Sequence, residues 1–208
     1  MILAKRIIMA VVGFTIIGFA IAVLRIINLG MDPLGAMALG ISYLTGISFG
    51  NVLVIVQAPL LLLVLWKQKK LIGIGTIMGM FGVGYVIDFF YFVAALTPIA
   101  YAEPGLVVRL VILMLALVVL SIGASIYMVS NLGMIPYDST GFVLEGLTNG
   151  KIKFKWIRLA MDGMCAIVAI ALGAIVGIAT AMTVFSVGPL ISLFKGKIGT
   201  FAQRRILV

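Results

Sequence analysis

The sequence predicts an all-α polytopic membrane protein built from two homologous repeats, and three observations lead to this fold class. Hydrophobic residues make up 64% of the chain and charged residues only 10%, whereas a soluble domain contains about 25% charged residues. The apolar runs are long and do not alternate with polar residues, which favours helices over the strands of a membrane barrel. Two sequence blocks also occur twice, at nearly the same spacing.

The duplicated blocks define the repeats. The segment NLGMDP at residues 28–33 returns as NLGMIP at residues 131–136. A second block, GIGTIMGMFGVGYVIDFF at residues 73–90, returns as GIATAMTVFSVGPLISLF at residues 177–194, with 9 of 18 positions identical. A duplication of this kind indicates that the fold consists of two similar structural units. It divides a single membrane domain (1–208) into repeat one (3–92), repeat two (105–194) and a cytoplasmic tail (195–208).

Each repeat is predicted to contain three transmembrane helices and one short half-helix. An apolar helix of about 20 residues crosses the hydrocarbon core. The half-helices are too short to cross at about 1.5 Å per residue, so each either re-enters the membrane or lies in its interface. The predicted spans are residues 7–27, 50–66, 71–96, 106–129, 154–173 and 175–194; the half-helices are residues 33–45 and 137–147, and residues 97–104 link the repeats.

The first repeated segment interrupts the chain between span one and its half-helix. Gly30 can adopt a positive φ, Asp32 can cap the half-helix, and Pro33 fits its first turn. Arg25, near the end of span one, is expected to extend its side chain to the membrane interface. Asp88, late in the third span, is expected to be an interface residue as well.

The basic residues predict the topology. With the N-terminus inside and six spans, 13 of the 15 Lys and Arg lie on the cytoplasmic side, and only Arg25 and Arg109 lie outside. This distribution follows the positive-inside rule, and the opposite orientation violates it. Because three spans per repeat is an odd number, the second repeat enters the membrane from the opposite side. The sequence therefore predicts inverted topology, with both termini cytoplasmic.

Composition also excludes several function classes. The net charge of +9 is explained by topology rather than by nucleic acid, because the charges lie in short loops between spans. The chain has one cysteine, Cys165, and no histidine, so neither an intramolecular disulfide nor a Cys/His metal site is expected. We find no nucleotide motif and no pairing of a nucleophile with a base. No enzyme activity, cofactor or metal is predicted.

The two interruptions predict a binding site. Half-helix N-termini present free N–H groups and a partial positive charge, and two of them meeting near the midplane would bind an anion. Alternatively, each interruption is only a structural turn. Asp32 and Asp138 argue against an uncompensated anion site unless they cap the helices or bind a proton. The candidate residues in the interruptions are Gly30, Asp32, Pro33, Gly133, Pro136, Asp138 and Ser139.

Asp162 is the most costly residue to place in a membrane. It lies eight residues into the fifth predicted span, where an unpaired carboxylate costs at least ~2.5–3.5 kcal/mol, so it is expected to face the protein interior. Arg158 lies four residues earlier, on the same helix face. The two residues form either a structural ion pair or a site that contacts a proton or substrate. Gln57, Asn28 and Asn131 are expected to form hydrogen bonds between helices.

The repeated motifs resemble those of the YczE/YyaS/YitT-type family of bacterial integral membrane proteins. The family pattern is an LG-x-x-P segment with an acid two residues after the proline, a TG-[LI]-S-x-G turn, a G-[IV]-G-T block and a G-P-x-I-D-x-F block. Residues 29–33, 45–50, 73–76 and 84–89 match in the first copy, and residues 132–138, 177–180 and 188–189 match in the second. The chain departs from the pattern at Gly35, where the acid is absent. The resemblance implies a multi-pass protein of the bacterial cytoplasmic membrane, and it implies no particular substrate.

Two functions are compatible with the sequence. The first is a small secondary transporter or exporter of an organic solute, with alternating access between the repeats and Arg158 and Asp162 as the coupling or binding pair. Its small size favours a homodimer in the lipid bilayer. The alternative is a non-transporting accessory membrane protein that assists a partner complex.

Overall fold

The protein is described by a computed structural model covering residues 2–98 and 104–205, of which all regular structure is helical. Five helices are long and apolar enough to cross a membrane, namely α1, α3, α4, α5 and α8. The helices are α1 (Ile2–Ile27), α2 (Pro33–Thr45), α3 (Phe49–Lys67), α4 (Ile74–Ala95), α5 (Leu106–Ser130), α6 (Pro136–Leu147), α7 (Phe154–Ala171) and α8 (Ile178–Arg205), with a 3₁₀ turn at Lys69–Leu71.

The helices agree with the predicted order. The half-helices were expected at residues 33–45 and 137–147 and are found at Pro33–Thr45 and Pro136–Leu147. The segment predicted as the fifth span is α7, which is not among the five candidate spans because its 18 residues include Lys155, Arg158 and Asp162. The six-span topology therefore stays a prediction. Residues 99–103 of the predicted linker lie outside the described residues, and residues 195–205 continue α8 instead of forming a separate tail.

The centre of the structure is a pair of antiparallel helices, α1 and α5. A Cβ at Gly13 would lie 2.7 Å from the backbone nitrogen of Tyr127, so the two helices touch backbone to backbone. Towards the other end of the pair, Arg109 Nε donates to the Ile27 carbonyl at 2.7 Å. Residue numbers thus rise along one helix as they fall along the other. This arrangement lets Arg109 satisfy a carbonyl group that the end of α1 leaves without a helical partner.

The remaining helices pack around this pair. On one side α4 contacts α1, where Gly18 faces Val86, and on the other side α8 contacts α5, where Ser125 Oγ donates to the Ile191 carbonyl at 3.2 Å. The half-helix α2 packs mainly on α7, and α6 packs on both α3 and α7. Each short helix is therefore held between longer helices, and this packing positions its N-terminus inside the protein.

Both interruptions have the same backbone shape. Asn28 and Asn131 end α1 and α5 in the left-handed region, with φ of 55° and 52°. Gly30 and Gly133 follow with φ of 97° and 107°, values that L side chains rarely adopt. Asn28 and Asn131 were expected to link helices through their side chains. The structure instead shows each one ending a helix, where asparagine tolerates the left-handed conformation.

Each interruption packs on the start of a long helix of the other predicted repeat. The Leu29 carbonyl accepts a hydrogen bond from Ala179 N at 3.0 Å, at the start of α8. The Leu132 carbonyl accepts one from Gly75 N at 2.8 Å, at the start of α4. These bonds satisfy an N–H group in the first turn of each long helix, which has no partner within the helix itself.

Candidate functional site

Arg158 is the centre of a charged network between α6 and α7. Its Nη1 donates to Asp138 Oδ1 at 2.6 Å, and its Nε donates to Asp162 Oδ2 at 3.3 Å. Asp162 lies one helical turn after Arg158, so α7 brings these two side chains together by itself. Asp138 is in the first turn of α6, and the packing of α6 on α7 supplies it. The predicted pairing of Arg158 with Asp162 is therefore present, and Asp138 is its third member.

Two tyrosine hydroxyls complete the hydrogen bonding of these carboxylates. Tyr127, on α5, donates to Asp138 Oδ2 at 2.8 Å. Tyr137, on α6, donates to Asp162 Oδ1 at 2.6 Å, and its ring lies under the guanidinium of Arg158 at 4.4 Å. Every carboxylate oxygen of Asp138 and Asp162 thus has a donor. A buried charge is tolerated only with this kind of pairing, because desolvation costs several kcal/mol per ion.

Asp32, in the first interruption, lies close to the same network. It caps α2 as predicted, with Oδ2 accepting a hydrogen bond from Gly35 N at 2.9 Å, and Pro33 follows in the first turn. Its other oxygen, Oδ1, is buried and has no hydrogen-bond partner within residues 2–98 and 104–205. The charges of Asp162 and Arg158 both act on this carboxylate. The N-terminal ends of both half-helices therefore converge on α7.

The network contains more acid than base. Two carboxylates, Asp138 and Asp162, bond the guanidinium of Arg158, and a third, Asp32, lies close enough to interact electrostatically with Arg158 and Asp162. Asp162 is only 6% exposed, and like charges at close range in a poorly hydrated site repel strongly. The arrangement is chemically suited to taking up a proton or another cation, which would neutralise the excess negative charge.

Sequence comparisons place the chain in a family. The model of the family described as "Family of unknown function (DUF6198)" matches residues 4–196. The chain belongs to this family. It is also similar to "Uncharacterized protein YyaS" of Bacillus subtilis (strain 168), with 27% identity over 184 residues, which cover 88% of this chain and 89% of the relative. The predicted resemblance to YyaS-type membrane proteins is thus confirmed. No solved structure matches.

In this member of the family, the other predicted site residues have structural roles. Gly30 and Gly133 form the turns described above, and Pro136 begins α6. Ser139 Oγ donates to the Ile135 carbonyl of its own helix at 3.1 Å, so its hydroxyl already has an acceptor. Asp32 occupies the N-terminus of α2. An anion approaching there would meet a carboxylate, so this geometry argues against the predicted anion pocket.

The roles of Tyr127 and Tyr137 in this network were not predicted from the sequence. Tyr137 directly follows Pro136 in the second interruption, and Tyr127 lies one turn before Asn131. That proximity to the repeated segment was the available signal, but which carboxylate each hydroxyl reaches depends on tertiary packing. Cys165 is buried, with its Sγ 3.6 Å from the Tyr137 hydroxyl.

A second ion pair lies away from this network. Arg25 Nη1 is 3.4 Å from Asp88 Oδ1, and Asp88 Oδ2 accepts a hydrogen bond from Gly50 N at 2.8 Å. The Arg25 guanidinium also stacks over the ring of Tyr91 at 3.8 Å. Arg25 and Asp88 were each expected to lie at the membrane interface, and their pairing was not predicted. The packing of α1 on α4 brings the two side chains into contact.

Proposed function

We propose that this chain is a small secondary transporter or exporter of an organic solute in the bacterial cytoplasmic membrane. The observation that carries the proposal is the convergence of both half-helix N-termini on the buried pair of Arg158 and Asp162. Interrupted helices that meet at ionisable groups are typical of transporter binding and coupling sites. Buried ionisable residues among apolar helices are costly, and they commonly mark ion or proton pathways.

Inverted repeats would supply the alternating access. Helices α1 and α5 are the first helices of the two predicted repeats, and they run antiparallel. The contact between an interruption and the start of a long helix also occurs twice, each time with a helix of the other predicted repeat. These features support a pseudo-two-fold axis in the membrane plane. Rocking of one repeat against the other about this axis would expose the site to each side in turn.

A transmembrane α7 completes the proposed six spans. The charged network around Arg158 faces the protein. Large apolar side chains are exposed on α7 and suit contact with lipid, including Trp156, Met164, Ile167 and Ile170. Internal pairing removes much of the penalty that Arg158 and Asp162 would otherwise impose. With α7 across the membrane, both termini lie in the cytoplasm. Two copies would form the proposed homodimer.

Proton binding at Asp162 is the proposed coupling event. When Asp162 is ionised, Arg158 links α6 to α7 through Asp138 and also bonds Asp162. Tyr137, on α6, also donates to Asp162. A proton on Asp162 would weaken this charge-assisted hydrogen bond between α6 and α7, which favours the alternative arrangement of the repeats.

Proton flux in reconstituted vesicles tests this function. Wild-type protein, Asp162→Asn and Glu145→Gln are placed in liposomes that contain a pH-sensitive dye, and a panel of organic acids, amines and amino acids is added. Glu145→Gln is the matched control, since it removes a carboxylate outside the Arg158 network. We expect at least one solute to change the internal pH with wild type and with Glu145→Gln, and no change with Asp162→Asn.

The accessory function predicts a different result. A protein that only assists a partner complex would move no protons with any solute. It would also tolerate Asp162→Asn without loss of function as long as the protein folds. Equal flux through wild type and Asp162→Asn, or no flux with any solute, would therefore contradict the transporter proposal.

A further inference from the structure

A cavity of about 270 Å³ lies beside the first interruption, away from the Arg158 network. Its lining includes Arg25 and Asn28 from the end of α1, Gly30 and Met31 from the interruption, and two tyrosines, Tyr43 and Tyr91. Tyr43 is mostly exposed, so the cavity opens at the surface of the protein. Among the described residues that line it, Arg25 is the only charged one, and its partner Asp88 lies outside the lining. The lining therefore presents a cationic group, whereas the network around Arg158 presents an excess of carboxylates.

The guanidinium of Arg25 has unused hydrogen-bonding capacity. Its side chain is only 13% exposed, and its Nε is buried with no partner in the described part of the chain. Only Nη1 donates to a carboxylate, and its 3.4 Å distance to Asp88 is long for a charged pair. Leaving a buried donor of this kind unsatisfied costs free energy. Nη2 also has no hydrogen bond in the described part of the chain and is not fully buried, so it is the donor that an acceptor entering the cavity would meet.

The surroundings hold the guanidinium in place while leaving it available. Tyr91 stacks on one face at 3.8 Å, and Asp88 is itself fixed by Gly50 N at 2.8 Å. A planar, prepositioned guanidinium with a free edge matches the geometry of a carboxylate, which can accept two parallel hydrogen bonds. We propose that this cavity binds the carboxylate group of a small organic anion, with Arg25 as its anchor.

This inference rests on the proposed function in one respect, because it names the transported solute as an organic carboxylate. The cavity and the network share the first interruption: Gly30 and Met31 line the cavity, and the next residue, Asp32, faces Asp162 and Arg158. A solute bound at Arg25 would therefore contact the segment that carries a carboxylate of the coupling site. Opposite charges at two adjoining sites suit the movement of an anion together with protons.

Direct binding to the purified full-length protein tests the anchor. The probes are acetate, benzoate and glutarate, and the matched uncharged probes are acetamide, benzamide and glutaramide. Thermal stabilisation in detergent identifies a bound carboxylate, and titration of that compound gives its affinity. We expect at least one carboxylate to stabilise wild type more than its uncharged counterpart. If no carboxylate does so, the inference is overturned.

Variants of the ion pair separate binding from structure. Arg25→Gln should weaken carboxylate binding roughly 10- to 100-fold, as expected for the loss of charge-assisted hydrogen bonds. Lys67→Gln is the control, since it removes a positive charge that stacks on Trp66 away from the cavity. Asp88→Asn should keep or strengthen binding, because it removes the competing acceptor. Arg25→Lys keeps the charge but loses the planar guanidinium, so it should bind the carboxylate with intermediate affinity. It replaces Arg25→Gln as the test if that variant does not fold.

The outcomes distinguish this inference from the proposed function. Folded Arg25→Gln with wild-type affinity would overturn the inference, and so would equal losses in Arg25→Gln and Asp88→Asn, which a purely structural ion pair predicts. Carboxylate binding that depends on Arg25 but produces no proton flux would support the cavity and contradict transport. Binding retained in Asp162→Asn with loss of flux would support both.

Discussion

The strength of the link between Arg158 and Asp138 can be worked out from its geometry. The two side chains are 2.6 Å apart and are 33% and 21% exposed, so the pair lies between a surface and a buried ion pair. Exposed pairs contribute about 0.2–1 kcal/mol, whereas breaking a buried pair costs about 3–5 kcal/mol. We therefore expect Arg158→Gln to lower the free energy of unfolding by roughly 2–4 kcal/mol. Asp138→Asn should cost less, because its amide oxygen can still accept from Arg158 while its amide NH₂ group donates to the Tyr127 hydroxyl oxygen.

A double-mutant cycle measures the link itself. The free energies of unfolding of wild type, Arg158→Gln, Asp138→Asn and the double variant would be obtained by equilibrium unfolding in mixed detergent micelles, followed by circular dichroism. We expect the double variant to be more stable than the sum of the single changes predicts, with a coupling of about 1–3 kcal/mol. The reason is that the second change removes a charge that the first left unpaired.

Two results would refute this reasoning. Additivity within about 0.3–0.5 kcal/mol would mean that the two residues do not interact energetically. Greater destabilisation by Asp138→Asn than by Arg158→Gln would mean that Asp138 acts mainly through a partner other than the guanidinium. In either case Arg158 could not hold α6 against α7 through Asp138.

The remaining predictions concern backbone contacts, and thermal unfolding in detergent measures them all. Gly30→Ala should destabilise by about 1–3 kcal/mol, because φ is +97° and a Cβ would lie 2.6 Å from Thr180 Oγ1. Gly13→Ala should cost about 1–3 kcal/mol by forcing α1 away from α5, where a Cβ would lie 2.7 Å from Tyr127 N. Gly82→Ala is the control for both variants, since its Cβ would have no neighbour within 4 Å and alanine favours the helix. If Gly30→Ala and Gly13→Ala were as stable as Gly82→Ala, the two packing contacts would be contradicted.

The sequence predicted local features of the fold well, because they depend on neighbouring residues. Asp32 and Pro33 are signals for a helix start, and α2 begins at Pro33. The Asn-Leu-Gly segments predicted turns, since asparagine and glycine tolerate positive φ. The polar character of α7 was also visible in the sequence, but whether it crosses the membrane depends on how Arg158 and Asp162 are shielded.

Contacts between distant segments could not be predicted in the same way. The i to i+4 spacing was sufficient to pair Arg158 with Asp162, but Asp138 reaches Arg158 only because α6 packs on α7. Arg25 and Asp88 are 63 residues apart, and no local pattern relates them. The duplication indicated that two segments share a conformation without indicating what each one contacts. Both charged sites depend on such contacts between distant segments.

The first interruption links these two sites, and its fixed shape explains why their occupancies would be coupled. Asn28 and Gly30 line the Arg25 cavity, whereas Asp32 interacts electrostatically with Arg158, so about five residues connect the proposed anion site to an acidic network. The segment is held between them by the hydrogen bond from Ala179 to Leu29 and by the close approach of Gly30 to Gly177. A movement of α8 relative to α1 would therefore displace the cavity wall and the Asp32 cap together. The second interruption contacts α4 in the same way but lines no part of this cavity, so the coupling is expected to pass through the first.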